Sequence, residues 1–299
     1  MPRKDFLRAL DTLEKPAKHF IVALTGGEPL LRKDLEEVGM EIRKRGMRWG
    51  MVTNGHLYDR KRHESLLSAG MGALTISVDG LEKSHDWLRN TPGSFAKVDR
   101  AIALAAASKR LNFDVVTCVN RRNFKELASI YRYLLEKGLK AWRLFTILPI
   151  GRATEHAELN LSDREFKENL DFIAEHRKKG DMDVKFSCEG YVGAYESKVR
   201  DTPFFCRAGI NIGSILIDGS ISACPNIDRS FIQGNIYTDN LHQVWNTKFV
   251  PFRDRGWNRT GPCADCKDYV NCLGNGFHNW HGDKTQPLVC HLSKLEGFS

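Results

Sequence analysis

The eight cysteines are the residues of this chain best suited to chemistry, and they are unevenly placed. None precedes Cys118, and seven, at 188, 206, 224, 263, 266, 272 and 290, fall within the last 112 of 299 residues. A chain of this size that opens on Met1-Pro2-Arg3-Lys4-Asp5, without the apolar core of an export signal, is not expected to use them as a disulfide framework, so the clustered thiols point to metal. Cys263-x2-Cys266-x5-Cys272 together with Cys290 supplies four thiolates, enough for one iron-sulfur cubane or for one tetrahedral zinc. Cys118, alone in an alternating apolar run, reads as a core thiol.

Other chemistry-bearing residues stand in the first half. In Leu24-Thr25-Gly26-Gly27-Glu28-Pro29-Leu30 the two glycines let a ligand approach the backbone while Glu28 offers a carboxylate. Within Thr75-Ile76-Ser77-Val78-Asp79-Gly80, Ser77 and Asp79 alternate, so on a strand both side chains face one way. Arg89 carries a planar guanidinium suited to bidentate carboxylate recognition or to a structural salt bridge.

The elements that must position these residues alternate between short apolar runs and amphipathic stretches, the pattern of successive βα units. Strands are expected at 19–24, 49–53, 73–78, 113–119 and 142–148, with helices at 33–45, 60–69, 95–108 and 123–137 between them. Gly46, Gly70 and Gly138 follow the last turns of three helices, where a left-handed residue is wanted. Such strands should be parallel, with the binding face at their C-terminal ends, where Gly26 to Pro29, Asn54-Gly55, Asp79-Gly80, Asn120 and Pro149-Ile150-Gly151-Arg152 all fall. Ser162 and Glu165 form a capping box for a helix at 164–178. Beyond 201 the pattern turns to short strands, including a hairpin at Asp218-Gly219.

Composition narrows the function. The formal charge of +8 comes from basic residues interspersed with acidic ones, which reads as solvated helix faces and not as a nucleic-acid footprint. No run of eighteen apolar residues suggests a membrane segment, and a cytoplasmic location is the expectation.

Taken together, these motifs resemble the radical S-adenosylmethionine (SAM) superfamily. The resemblance implies an α/β fold, a partial (β/α)6 TIM-type barrel lacking its first strand, followed by a small cysteine-rich metal-binding domain. It implies that Gly26, Gly27, Glu28 and Pro29 hold the SAM amino group, that Ser77 and Asp79 reach its ribose and carboxylate, and that Asn120 lies beside the adenine. The C-terminal cysteines resemble the SPASM domain, an auxiliary iron-sulfur module. On that likeness Cys263, Cys266, Cys272 and Cys290 hold one auxiliary 4Fe-4S cluster. Cys206 and Cys224, spaced around Gly219, belong to another site, which departs from the family pattern because Gly276 stands where a cysteine is usual. Cys188 could supply a third ligand there, and His278 or His281 a fourth. The Gly274-Asn275-Gly276-x-His278 variant resembles a branch associated with small lipoproteins.

The largest departure is that no Cys-x3-Cys-x2-Cys triplet for the SAM-cleaving cluster occurs in these residues. The expected organisation is a partial barrel at 1–155, with residues 2–13 as the helix after the missing cluster loop, a helical bridge at 156–200 and the iron-sulfur domain at 201–299. The chain reads as N-terminally truncated and inactive in SAM cleavage as it stands. The implied activity of an intact enzyme is modification of a peptide or protein through a 5′-deoxyadenosyl radical, with an electron donor such as a flavodoxin or ferredoxin. A non-catalytic iron-sulfur or zinc-binding scaffold is the alternative.

Overall fold

The computed structural model describes residues 1–13, 19–282 and 285–298. The chain divides into two compact units, Pro16–Ser187 and the pair of segments Met1–Lys15 and Cys188–Ser299. Helix α1 (Arg3–Asp11) therefore folds with the C-terminal residues, whereas the sequence reading placed it in the barrel. The physical reason is its apolar stripe. Leu7, Ala9 and Leu10 are buried, and Ala9 joins a cluster with Ile221, Phe231, Phe252 and Trp280, while Tyr237 donates a hydrogen bond to Asp5 (3.3 Å).

The Pro16–Ser187 unit is a six-stranded parallel sheet in chain order: β1 (Ile21–Leu24), β2 (Arg48–Thr53), β3 (Met71–Ser77), β4 (Asn112–Val119), β5 (Ala141–Thr146) and β6 (Asp183–Phe186). Helices α2 (Leu35–Lys44), α3 (Arg60–Ser68), α4 (Glu82–Leu88), α5 (Ser94–Ala106), α6 (Leu127–Glu136) and α7 (Asp163–Lys179) connect the strands. The expected partial barrel is present, with one strand more than the five read from sequence. The segment taken as a bridge supplies α7, closed at its start by the Ser162–Glu165 capping box, and β6, which pairs with β5.

One face of the sheet is fully buried. Leu74, Ile76, Val115, Thr117, Val119, Trp142 and Leu144 are at most 1% exposed. Trp142 lies against Tyr131 of α6 and Phe172 of α7, and its indole N–H donates to Thr117 (2.8 Å). Trp49 fits over Gly39 of α2, where any Cβ would come within 2.3 Å of the indole ring. Truncating either tryptophan should cost about 3–5 kcal/mol. On the opposite parity, Ser77, Asp114, Cys118 and Arg143 are only half-buried. Cys118 is thus half-buried on the other face and not in the core as the alternation suggested, because Thr117 and Val119 take the buried side.

The Cys188–Ser299 segment contains short elements: α8 (Glu196–Val199), an antiparallel sheet of β7 (Ser214–Ile215), β8 (Ser220–Ser222) and β9 (Gly234–Asn235), then α9 (Leu241–Thr247), α10 (Val250–Arg253) and α11 (Tyr269–Cys272). The expected hairpin forms across Asp218-Gly219, with Gly219 at φ 84°. Aromatic contacts among Phe231, Phe249, Phe252, Trp257, Phe277 and Trp280 form its core.

Candidate functional site

Parallel pairing brings the residues that follow each strand to one edge of the sheet. After β1, Gly26 adopts φ 110°, a conformation that requires glycine, and open space surrounds both Gly26 and Gly27 where a side chain would project. Pro29 starts a 3-10 turn whose entry Glu28 caps by accepting from Leu30 N–H (3.0 Å). The same carboxylate accepts from the Thr53 hydroxyl (2.7 Å) and from Asn54 N–H (2.8 Å), tying the β1 exit to the end of β2. Ser77, at the tip of β3, is half-buried and makes no side-chain hydrogen bond to the described residues, so its hydroxyl is available.

Asp79 and Asn120 are more deeply engaged than their types suggested. Asp79 is 3% exposed, accepts from Cys118 N–H (2.9 Å) and pairs with Arg89 (2.5 Å), so Arg89 makes the structural salt bridge. Asn120 turns the chain after β4 by accepting from Arg122 N–H (3.0 Å) and donating to the Cys118 carbonyl (3.1 Å). Asn123 donates to the carbonyls of both Asp79 and Cys118 (2.9 Å each). Glu126 accepts from Leu81 N–H (2.9 Å) and the Ser84 hydroxyl (2.5 Å). His85 accepts from Asp79 N–H (3.1 Å) through Nδ1, and burial pushes its imidazole below the usual histidine range. Sequence reading missed Asn123 and Glu126 as rim residues and gave His85 no role. The three-residue spacing Asn120, Asn123, Glu126 at a helix entry was the signal that could have found the first two. On the open face of the sheet, Asp114 accepts from Thr75 (2.5 Å) and also pairs with Arg143.

The C-terminal thiols differ in exposure, Cys188 and Cys290 being exposed and Cys206, Cys224, Cys263, Cys266 and Cys272 partly buried. Burial pushes the Cys272 thiol up to about 12, and the charges of Cys290, Cys263 and Cys266 add to the effect. Burial likewise raises Cys224, to about 11, with Cys188 and Cys206 as its charged neighbours. Among the described residues no three His, Cys, Asp or Glu side chains are close enough to share one metal ion. A cubane makes a different demand, one thiolate for each iron corner, and four soft thiolates are the donor set it takes.

Cys188 is held by the loop that follows it. Gly190 sits so close to Asn275 and His291 that a Cβ would come within 2.2 Å of one and 2.3 Å of the other. Asn275 accepts from Tyr191 N–H (3.2 Å) and donates to the Val289 carbonyl (3.2 Å). The buried pair Glu196–Arg200 (2.6 Å) fixes the same loop, since Arg200 donates to the Gly190 carbonyl (2.8 Å) and Glu196 accepts from Val192 and Phe204 N–H. Arg255 donates to the carbonyls of Cys206 (2.6 Å) and Asn275 (3.5 Å) and lies over Phe277, drawing Cys206 to the 275–277 turn. His281 faces Asp228 (3.4 Å) and is 43% exposed. A cavity of about 280 Å³ in this unit is lined by Phe205, Ile210, Arg253, Arg255, Arg259 and Tyr269.

Comparison with known proteins bears on both units. Residues 1–134 match the model of the radical SAM superfamily, and residues 206–267 match that of an iron-sulfur cluster-binding domain, SPASM. An AdoMet-dependent heme synthase of Methanosarcina barkeri is 30% identical over 91% of this chain and 80% of its own length. Another, of Nitratidesulfovibrio vulgaris, is 27% identical over 85% of this chain and 73% of its own. The solved structure of native anSMEcpe with bound AdoMet and the Cp18Cys peptide superimposes with TM-score 0.73 at 20% identity, covering 99% of this chain and 86% of that one.

Proposed function

This chain belongs to the radical SAM superfamily and carries a C-terminal SPASM domain, and on that premise we propose that its sheet edge binds SAM while its cysteine groups hold auxiliary iron-sulfur clusters. When bound and reduced, SAM supplies a 5′-deoxyadenosyl radical for hydrogen abstraction. The observation that carries the reading is the open Gly26-Gly27 backbone, locked beside the end of β2 by Glu28 and two strands from the available hydroxyl of Ser77. In this reading Gly26, Gly27 and Pro29 shape the seat for the amino-acid end of SAM, and Glu28 orients that turn. Ser77 offers a hydroxyl to the ribose. Asp79 and Asn120 act through the backbone they hold, with Asp79 neutralising Arg89. Cys263, Cys266, Cys272 and Cys290 hold one 4Fe-4S cluster, and Cys206 and Cys224 belong to a second.

For substrate, the two heme synthases support a tetrapyrrole. The 280 Å³ cavity adds nothing to that choice, since the guanidiniums of Arg253 and Arg255 that line it are spent on backbone carbonyls. A peptide is the second reading, favoured by the peptide bound to the anSMEcpe structure. The test is anaerobic reconstitution followed by SAM calorimetry, titration with an iron porphyrin followed at the Soret band, and assay for 5′-deoxyadenosine. Cluster absorbance, SAM binding and a saturable Soret shift are expected. No 5′-deoxyadenosine is expected, because these residues lack the Cys-x3-Cys-x2-Cys triplet. Failure to bind SAM would remove the reading, and the absence of a Soret shift would favour the peptide.

A further inference from the structure

The half-buried face of the parallel sheet carries a polar cluster that the cofactor reading leaves without a task. A parallel barrel ordinarily fills its interior with branched apolar side chains, yet Thr75, Asp114 and Arg143 stand on that face of β3, β4 and β5. Thr75 and Asp114 are register partners. The Thr75 hydroxyl donates to Asp114 Oδ1 (2.5 Å), Arg143 Nε donates to Asp114 Oδ2, and Arg143 Nη2 donates to the Thr75 oxygen (3.2 Å). Each member holds the other two, and the guanidinium is fixed on strands and not on a loop.

The cluster leaves donors over. A guanidinium has five N–H groups, of which two are used here. Arg143 has no other hydrogen bond or ion pair among the described residues, and its side chain is 41% exposed. Arg253 and Arg255, by contrast, commit every guanidinium nitrogen to a backbone carbonyl. Asp114 offsets the charge of Arg143, but it occupies Nε and leaves the Nη end as a fork of donors, the shape that meets both oxygens of a second carboxylate. Ser77, Val116 and Arg143 are successive register partners on β3, β4 and β5. Ser77 and Arg143 therefore lie in one row on one face, two strands or roughly 10 Å apart. That spacing sets Arg143 beside the hydroxyl assigned to the SAM ribose and not at it.

We propose that Arg143 is a substrate-binding residue whose Nη end receives a carboxylate of the tetrapyrrole, with Asp114 and Thr75 as positioning residues. The inference rests on the tetrapyrrole reading above and deepens it by naming the group that recognises the acid side chain. The contact is an ion pair with two hydrogen bonds, and no covalent bond is made or broken. Because Arg143 is 41% exposed, its removal costs about tenfold in affinity, the low end for a hydrogen bond to a charged group.

The test reconstitutes the full chain, its Arg143→Gln variant and the double variant Arg143→Gln/Asp114→Asn anaerobically. Each is titrated with an iron porphyrin bearing free carboxylates and with the same porphyrin capped as carboxamides, followed at the Soret band. The double variant removes both charges together, so it covers the case in which an unpaired Asp114 prevents folding. The unsubstituted chain is expected to favour the acid over the amide by about tenfold, and both variants to lose that preference with SAM affinity unchanged by calorimetry. An acid preference undiminished in the folded double variant, or missing from the unsubstituted chain, overturns Arg143 as the anchor and leaves the tetrapyrrole reading intact. A fall in SAM affinity in the double variant assigns Arg143 to the cofactor and overturns the inference as well. Binding of neither porphyrin by the unsubstituted chain overturns both the inference and the tetrapyrrole reading.

Discussion

Replacing Glu28 by Gln tests whether that carboxylate holds the ligand-binding edge together. Oε1 accepts from Leu30 N–H and the Thr53 hydroxyl, and Oε2 accepts from Asn54 N–H. An amide retains one acceptor oxygen and replaces the other with a donor. If the amide nitrogen takes the Oε2 position, Asn54 N–H faces a donor; if it takes Oε1, two bonds are lost. Thr53 has little freedom to adapt, since it is 2% exposed and its oxygen already accepts from Gly55 N–H (3.0 Å). The smaller loss, one donor facing another, costs about 1–3 kcal/mol. At 1.4 kcal/mol per tenfold, amide exchange at Leu30 and Asn54 should accelerate roughly 5- to 140-fold, provided local opening governs exchange there. Hydrogen exchange read by mass spectrometry over 25–31 and 53–58 measures this, and SAM affinity should fall in parallel. Unchanged exchange in both segments would refute the claim that Glu28 couples the two strand ends.

Three further outcomes follow from individual contacts. Ser77→Ala removes a hydroxyl the protein does not use, so stability should stay within about 0.5 kcal/mol while SAM affinity, measured by calorimetry, drops roughly 2- to 12-fold for a hydrogen bond of about 0.5–1.5 kcal/mol. Gly190→Ala drives a methyl into Asn275 and His291, and urea denaturation should show a loss of about 1–3 kcal/mol with less iron bound; an unchanged midpoint would contradict the packing described. In the cluster-free chain at pH 8, iodoacetamide should label the exposed Cys188 and Cys290 first and Cys224 and Cys272 last. Burial raises the latter thiols to about 11 and about 12, so their thiolate fraction, and with it labelling, should grow about tenfold per unit of rising pH.

Much of the sheet was legible because its strands are short β-branched runs set between amphipathic stretches. Gly46, Gly70 and Gly138 marked three helix ends, and all have φ between 78° and 87°. The sixth strand escaped notice because Asp183-Val184-Lys185-Phe186 is only four residues long and follows a highly charged helix; its identity depends on pairing with β5. Helix α1 carries an apolar stripe that any partner could cover, and nothing local says that the partner is a cluster formed around Phe252 and Trp280. At the rim, the family resemblance implied ligand contacts for Asp79 and Asn120, and carboxylates and amides also hold turns together. Only the tertiary structure shows both spent on the exits of β3 and β4. His278 was visible as a candidate, whereas the volume it takes beside Gly276 was not.

The recruitment of α1 to the cysteine-bearing unit makes that unit discontinuous in sequence. During synthesis, roughly 175 residues separate Leu13 from Cys188, a wait of about 10–35 s at ordinary ribosome speeds. Through that interval the nascent helix has an uncovered Leu7, Ala9 and Leu10 stripe and no partner of its own unit, while the parallel sheet is completed. Chaperone occupancy of the emerging chain should therefore persist until the final hundred residues leave the exit tunnel.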